Sequence, residues 1–338
     1  MRQLGRFLLR RLALLAPLLL IVGFLAFALL RLGGQDPSAM LAGPTATIGE
    51  IARLRGEYGL DRPMPVQFAL WLGRVVQGDL GRSWVTNRPV AAELLDRAPA
   101  TLELLLAGVA LGALVGVPAG MLAAFRRGRL ADLVTRAVAL VGFSIPTYFL
   151  ALAMLLIFFY VLELSPPGMG RLSLMLTPPP RITGSYLIDA LLAGDVEAAR
   201  SAFDQLVLPV ICVAVATAAP VVSQVRAIVL DQLGADHISY ARAQGLPRAW
   251  VAGIALRGAA TPVVTFIGAE LAGLVGTTSL IEYVFAWGGV GQFGLEAIIK
   301  GDFAVVQGYV LLLALFSVAV FLLVDLLVLL LEPRAALR

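Results

Sequence analysis

Lysine is almost missing from this chain: Lys300 stands alone among 26 basic residues, and the others are arginine. Cysteine and histidine occur once each, as Cys212 and His237. One cysteine excludes an intrachain disulfide, and one histidine excludes the common His/Cys zinc sites, so no metal is expected. Charged residues make up only 14% of the chain, where soluble domains carry about a quarter. That scarcity argues against a soluble enzyme. With 59% hydrophobic residues and a mean hydropathy of +0.90, disorder is excluded as well. The net charge of +4 would suggest nucleic acid in a soluble protein; beside a bilayer it records orientation instead, and no nucleic-acid partner is expected.

What is present is long apolar sequence. A helix needs about 20 apolar residues to cross a ~30 Å hydrocarbon core. Residues 12–30, 104–125, 137–162 and 206–225 meet that length without a charge, 258–281 with only Glu270, and 303–331 with only Asp325. The fold class expected is therefore all-α, with six transmembrane helices in lipid. The apolar core of 12–30 exceeds a secretory signal, so it reads as an uncleaved anchor. Arginines cluster before the first span (Arg2, Arg6, Arg10, Arg11), between the second and third (Arg126, Arg127, Arg129, Arg136), between the fourth and fifth (Arg226, Arg242, Arg248, Arg257), and at the close (Arg334, Arg338). The positive-inside rule then puts both termini in the cytoplasm.

Two segments fall outside. Residues 31–98 open on a turn at Gly33, Gly34, Asp36 and Pro37, and predict helices over Ile48 to Tyr58, stopped by Gly59, and over Pro63 to Val76. Residues 163–205 begin proline-rich and predict a short helix near Ala190 to Phe203. Docking surface and simple lid are both open readings here. The chain divides as 1–98, the anchor with the first outer segment, and 99–338, a core carrying the cytoplasmic connection 231–257.

That connection is the most informative stretch. Ile238, Ala241 and Gly245 fall one helical turn apart, giving a small or apolar face. Gly245 followed by Pro247 is a stop and restart, so two short helices with a sharp bend are expected. The small face allows close approach of another protein; an ordinary interfacial hairpin is the competing reading.

The string D-H-I-S-Y-A-R-A-Q-G-L (236–246) resembles the cytoplasmic signature loop of bacterial ABC-importer permeases, in its peptide-type form. Asp236, Ala241, Arg242, Ala243, Gly245 and Leu246 match that form, His237 and Tyr240 depart, and Gln244 stands for lysine. Further strings resemble the same family in order: G-R-F-L-L-R-R-L at the start, G-L-D-R-P-M-P-V-Q-F (59–68), G-D-L-G-R-S (78–83), R-A-P-A-T-L-E-L (97–104), S-I-P-T-Y-F-L (144–150), V-F-A-W-G-G-V-G (284–291), D-F-A-V-V-Q-G (302–308) and L-E-P-R (331–334). Gly288 stands where the family often has proline. The chain is similar to the first permease subunit of dipeptide/oligopeptide/nickel-type importers.

The resemblance implies a coupling helix that enters a cleft of a separate ATPase, with Asp236, Tyr240, Ala241, Arg242, Gly245 and Leu246 as the coupling positions. It also implies a second homologous permease, two ATP-binding subunits and an extracytoplasmic substrate-binding protein. The chain's own residues agree that ATP is hydrolysed elsewhere. A P-loop needs Gly-Lys-[Ser/Thr], but Lys300 lies between Ile299 and Gly301, and the glycines at 288–291 have no lysine. No cofactor is expected.

Glu270 and Asp325 are intramembrane carboxylates, and such groups are pathway candidates by default. Ser144 and Pro146 join them as pathway candidates. For Glu270 and Asp325 a structural ion pair is the plainer reading, with Arg226 or Arg334 in reach of Asp325; proton coupling is the rival. Glu103 is expected near the interface. Pro118 and Pro146 predict kinks, while Gly112, Gly116 and Gly120, with the stripe Gly268, Ala272 and Gly276, predict packing faces. Whether those faces meet helices of this chain or of a partner is open. Cys212 reads as a small packing residue and His237 as a solvated one.

Overall fold

The computed structural model describes residues 17–28, 38, 46–57 and 59–331. In chain order the helices are α1 (Pro17–Ala28), α2 (Ile48–Glu57), α3 (Met64–Val76), α4 (Val90–Phe125), α5 (Leu130–Ser144), α6 (Thr147–Met154) continued by a π-helical segment (Leu155–Val161), α7 (Tyr186–Ala193), α8 (Val196–Gly234), α9 (Asp236–Ala243), α10 (Arg248–Val284), α11 (Val290–Lys300) and α12 (Phe303–Leu331). Among the described residues the only sheet-like pairing is a bridge between Arg82 and Pro89.

Four of these helices, α4, α8, α10 and α12, are long and apolar enough to cross a membrane, and α5 with α6 makes a fifth if that bent pair counts as one span. The expected first span, 12–30, is described only over α1. Its flanking arginines, the turn at 33–37, Tyr58 and the closing segment with Arg334 and Arg338 lie outside the described residues. What is seen of α1 is held by aromatic packing. Phe24 and Phe27 meet Phe68 of α3 edge-on at 5.2 and 5.5 Å between ring centroids, and Phe68 stacks on Trp71 at 5.7 Å.

The centre of the molecule is the α4–α8 pair. The glycine row of α4 faces α8 so closely that side chains are excluded. A Cβ on Gly112 would sit 2.6 Å from the Thr217 Cβ, one on Gly116 2.9 Å from Val221 Cγ1, and one on Gly120 2.8 Å from the Val222 carbonyl oxygen. Without a hydrophobic force between helices in lipid, such backbone approach supplies the packing that holds them together. This row therefore joins two helices of one chain. Cys212 of α8 is fully buried in the same core. In the second stripe, Gly268 and Ala272 pack on Val324 and Val320 of α12, whereas Gly276 faces open space.

Three expectations about continuity are corrected. The third span is not one helix from 137 to 162. It begins at Leu130, ends at Ser144, and the chain turns by 95° before continuing. Ile145 is extended (φ −84°, ψ 119°), as a residue before proline is pushed to be, and Pro146 then heads the next helix. Pro118, by contrast, stays inside α4, because its neighbours are held by α8. The stretch 190–203 is two helices. Gly194, left-handed at φ 72°, closes α7, and the Asp195 side chain accepts from Ala198 N at 2.9 Å to open α8. Finally, the second short helix after Gly245 is the first turns of the 37-residue α10, which runs on through Pro262.

Four of the family-like strings (78–83, 97–104, 284–291 and 302–308) meet at the end of the bundle opposite α9. Ser83 donates to Asp302 (2.6 Å), Trp287 Nε1 donates to the Ala100 carbonyl (2.9 Å), and Ser185 of the outer segment donates to Glu103 of α4 (2.6 Å). Glu282, which sequence reading passed over, is fully buried there: it accepts from Thr101 Oγ1 at 2.7 Å and from Gln292 N at 2.9 Å. Thr101 Oγ1 in turn accepts from Val290 N at 2.8 Å, so the pair satisfies the first turn of α11. Gly289 and Gly291 have no room for a side chain against this carboxylate. Gly288 has φ 75°, a conformation that proline's fixed φ near −65° could not enter, so this turn differs from one built around proline.

Candidate functional site

Two regions carry candidate chemistry: the α9 turn, and a cleft bounded by α5, α8 and α10. In the turn, α9 ends in a two-bond left-handed stop. Gly245 N donates to the Arg242 carbonyl at 3.0 Å and Leu246 N to the Ala241 carbonyl at 3.3 Å, with Gly245 at φ 73°. Pro247 then stands at the head of α10, and Trp250 N and Val251 N both donate to its carbonyl oxygen. The bend expected from Gly245 and Pro247 is present.

The small face turns inward, as the hairpin reading of it requires. Ile238 and Ala241 are buried against Val251 and Ala255 of α10, so they fix the angle of α9 and are not available to another protein. Burying Ile238 completely is worth roughly 2 kcal/mol of local stability, which makes α9 a firm projection and not a loose loop. The exposed face is Asp236, Tyr240, Arg242, Gly245 and Leu246, together with Trp250. Trp250 escaped the sequence reading. The available signal was a large aromatic in a polar connection, where apolar surface is costly without a partner. His237 is exposed, in keeping with a solvated side chain.

The cleft holds about 680 Å³ and is lined by Arg136 and Phe143 of α5, Ser223 and Gln224 of α8, and Phe266 and Glu270 of α10, among others. Glu270 is half-buried, and Arg136, Ser223 and Gln224 are exposed. Among the described residues Glu270 has no ion-pair partner, so the expected structural pairing is not found there. Ser144 and Pro146 are exposed at the break after α5, with Ser144 Oγ donating to the Leu140 carbonyl at 2.8 Å. Asp325 lies elsewhere, half-buried on α12. Of the two cations expected in its reach, Arg334 lies outside the described residues and Arg226 is engaged by Asp132, at 2.7 and 3.0 Å through two parallel hydrogen bonds. Packing of α5 on α8 brings that carboxylate to the guanidinium first, and the two-point geometry holds it.

Outside the spans, two charged groups order the 163–205 segment. The Arg171 guanidinium lies over the Tyr186 ring at 3.8 Å and donates to the Gly184 carbonyl, and burial pulls its pKa below the usual arginine value. Asp189 accepts from Ile182 N, Thr183 N, Thr183 Oγ1 and Gly184 N. Burial pushes the Asp189 carboxyl up, but the hydrogen bonds together outweigh it and hold the group below the ordinary carboxylate value. No group of three or more His, Cys, Asp or Glu side chains suited to a metal occurs among the described residues.

This geometry can be set beside known proteins. Over 312 residues the chain is 39% identical to the "Probable D,D-dipeptide transport system permease protein DdpB" of Escherichia coli K12, covering 92% of this chain and 91% of that protein. It is 37% identical to the dipeptide transport system permease protein DppB of the same strain, covering 97% and 98%. It is 36% identical to the di/tripeptide transport system permease protein DppB of Pseudomonas aeruginosa UCBPP-PA14, covering 97% and 98%. A solved structure, the MetNI methionine ABC transporter in inward-facing conformations, superimposes with a TM-score of 0.51 at 20% identity. That likeness, over 72% of this chain and 96% of the other, is one of fold. Nothing in these relatives supports a proton-coupled carrier. The N-terminal profile of binding-protein-dependent transport system membrane components matches residues 4–105. The profile for the inner membrane component itself matches residues 116–337, and the chain belongs to that family of binding-protein-dependent transport system inner membrane components.

Proposed function

We propose that this chain is a permease subunit of an ATP-driven importer that carries dipeptides or oligopeptides across the bacterial inner membrane. The observation that carries the reading is the 37–39% identity to dipeptide permeases over nearly the whole chain. In this reading residues 99–338 form the core permease and residues 1–98 an anchor with an extracytoplasmic segment. Both termini and α9 are cytoplasmic, as the arginine distribution favours. The chain pairs with a second homologous permease, two ATP-binding subunits and an extracytoplasmic binding protein. ATP hydrolysis belongs to those other subunits.

The mechanism is alternating access. Closure of the ATPases pushes on α9, and α9 passes the push to α10 through the buried Ile238–Ala241–Val251–Ala255 contact. Tyr240, Arg242, Leu246 and Trp250 make the outward contact; Ala241 and Gly245 set its angle; Asp236 begins it. Since α10 runs from Arg248 to Val284 with Pro262 inside it, a displacement at the turn reaches Glu270 along one helix that can flex at the proline. Glu270, Ser144 and Pro146 line the pathway, and Asp325 is an outlying candidate on α12.

The test is reconstitution with the partner subunits and binding protein in proteoliposomes. Dipeptide should stimulate ATP hydrolysis and be taken up, and collapse of the proton gradient should leave uptake intact. Gly245→Val, which forces a β-branched residue into a left-handed turn at a cost of about 1–2 kcal/mol, and Trp250→Ala should each lower uptake per ATP hydrolysed by about tenfold. Uptake that continues without ATP, or a Gly245→Val complex that transports normally, overturns the assignment.

A further inference from the structure

Glu270 poses a problem that the fold does not solve internally. It is a carboxylate on a membrane-spanning helix, only half-buried, and no described residue forms an ion pair with it. Facing it across the same cleft are Arg136, Ser223 and Gln224, all exposed. A face carrying a carboxylate, a guanidinium, an amide and a hydroxyl is too polar to lie against lipid tails, so it must adjoin water or polar protein. The cleft walls between these groups are apolar, with Phe143 and Phe266 among them. One anionic and one cationic side chain on an apolar lining match a small zwitterion with an apolar or varied middle. The volume of about 680 Å³ lies in the range of small-molecule sites. Two residues of extended chain span about 7 Å, so a dipeptide fits within it.

We infer that the cleft between α5, α8 and α10 is a binding station for the free peptide in transit, with the Glu270 carboxylate receiving its ammonium terminus and the Arg136 guanidinium its carboxylate terminus. This inference rests on the peptide-importer reading and adds a site to it. Charge complementarity at both ends favours unblocked peptides over neutral solutes while leaving side-chain identity unread. The aromatic walls accept many side chains by contact alone. Because Glu270 rides on α10, its position changes with the α9 turn, so the station is offered to one side of the membrane and then withdrawn.

The experiment uses the assembled complex in proteoliposomes with Ala-Ala as the transported probe. Glu270→Gln should raise the KM for uptake at least tenfold, with Glu270→Asp recovering most of the loss, and Arg136→Gln should do the same with recovery by Arg136→Lys. Unchanged KM in Glu270→Gln and Arg136→Gln overturns the inference. A second arm reads the cleft directly. Cys212 is the only cysteine of this chain and is fully buried, so within the chain an introduced thiol reports alone, and labelling is read on the band of this subunit. Glu270→Cys and Ser223→Cys should react with a cationic, water-soluble methanethiosulfonate much faster than Leu323→Cys on the exposed face of α12, and excess Ala-Ala should slow the reaction at Ser223→Cys, where Glu270 and Arg136 both remain. Labelling at Glu270→Cys no faster than at Leu323→Cys means the cleft is closed by another subunit, and the inference fails. The labelling contrast needs no transport, so it judges the water-lined cleft even if the wild-type complex proves to carry a different solute; that result would sink the peptide reading and the zwitterion station together.

Discussion

Thr101 and Glu282 are coupled through a single hydroxyl: Thr101 Oγ1 donates to the Glu282 carboxylate at 2.7 Å while accepting from Val290 N at 2.8 Å. One side chain from α4 and one from α10, both buried, thus satisfy the start of α11. Thr101→Val keeps the shape but removes both hydrogen bonds and leaves a buried carboxylate oxygen and a buried N–H short of partners. Each unsatisfied group costs about 1–3 kcal/mol, so a fall in thermal stability of the purified protein by several degrees is expected. Glu282→Gln should be the milder change, because its amide oxygen can keep the Gln292 N bond while its NH2 turns to the Thr101 hydroxyl, at the loss of the charge-assisted bonds. A melting curve unchanged in both variants would contradict this arrangement.

The glycine row of α4 sets a steric test. Gly112→Ala places a methyl group 2.6 Å from Thr217 Cβ and 2.8 Å from the Ala214 carbonyl oxygen, both on a helix that cannot yield locally. Separation of the two helices should cost about 1–3 kcal/mol, seen as a lower melting temperature in detergent. Gly276→Ala is the control: nothing lies within 4 Å of its added Cβ, so the change should be neutral or slightly stabilising through helix propensity.

Asp189 sets a pH dependence for the 163–205 segment. Its carboxyl pKa is held below the ordinary value, because four hydrogen bonds outweigh the upward push of burial. A carboxylate depressed in the folded state contributes stability that is fully present above its unfolded pKa, near 4, and is lost as pH falls through the lower folded value. Hydrogen exchange at Thr183 and Gly184 should therefore accelerate below about pH 4 in the native protein. In Asp189→Asn, which has one acceptor oxygen for these donors instead of two, exchange should be fast throughout and independent of pH in that window once intrinsic rates are divided out.

Apolar run lengths, glycine and proline placement and the order of short strings were enough to establish a helical membrane permease of a known family. These signals are local: a span is legible because every backbone group in lipid must bond within its own helix, and the stop at Gly245 is legible because few residues other than glycine accept that φ. Pro146 was legible as a disturbance, although the 95° turn was not, since proline specifies its own φ and not what the neighbouring helices will fill. The direction of each face depended on elements far away in sequence. Ile238 and Ala241 could have met another protein or a neighbouring helix until α10 covered them; Gly112 could have met any helix until α8 did; Arg226 could have reached Asp325 until Asp132 held it. Glu282 and the Glu270–Arg136 cleft appeared only when segments more than a hundred residues apart were brought together. The scarcity of charge that first spoke against a soluble protein now gives the polar cleft its weight, because a charge on a membrane span is costly unless it meets water or polar protein.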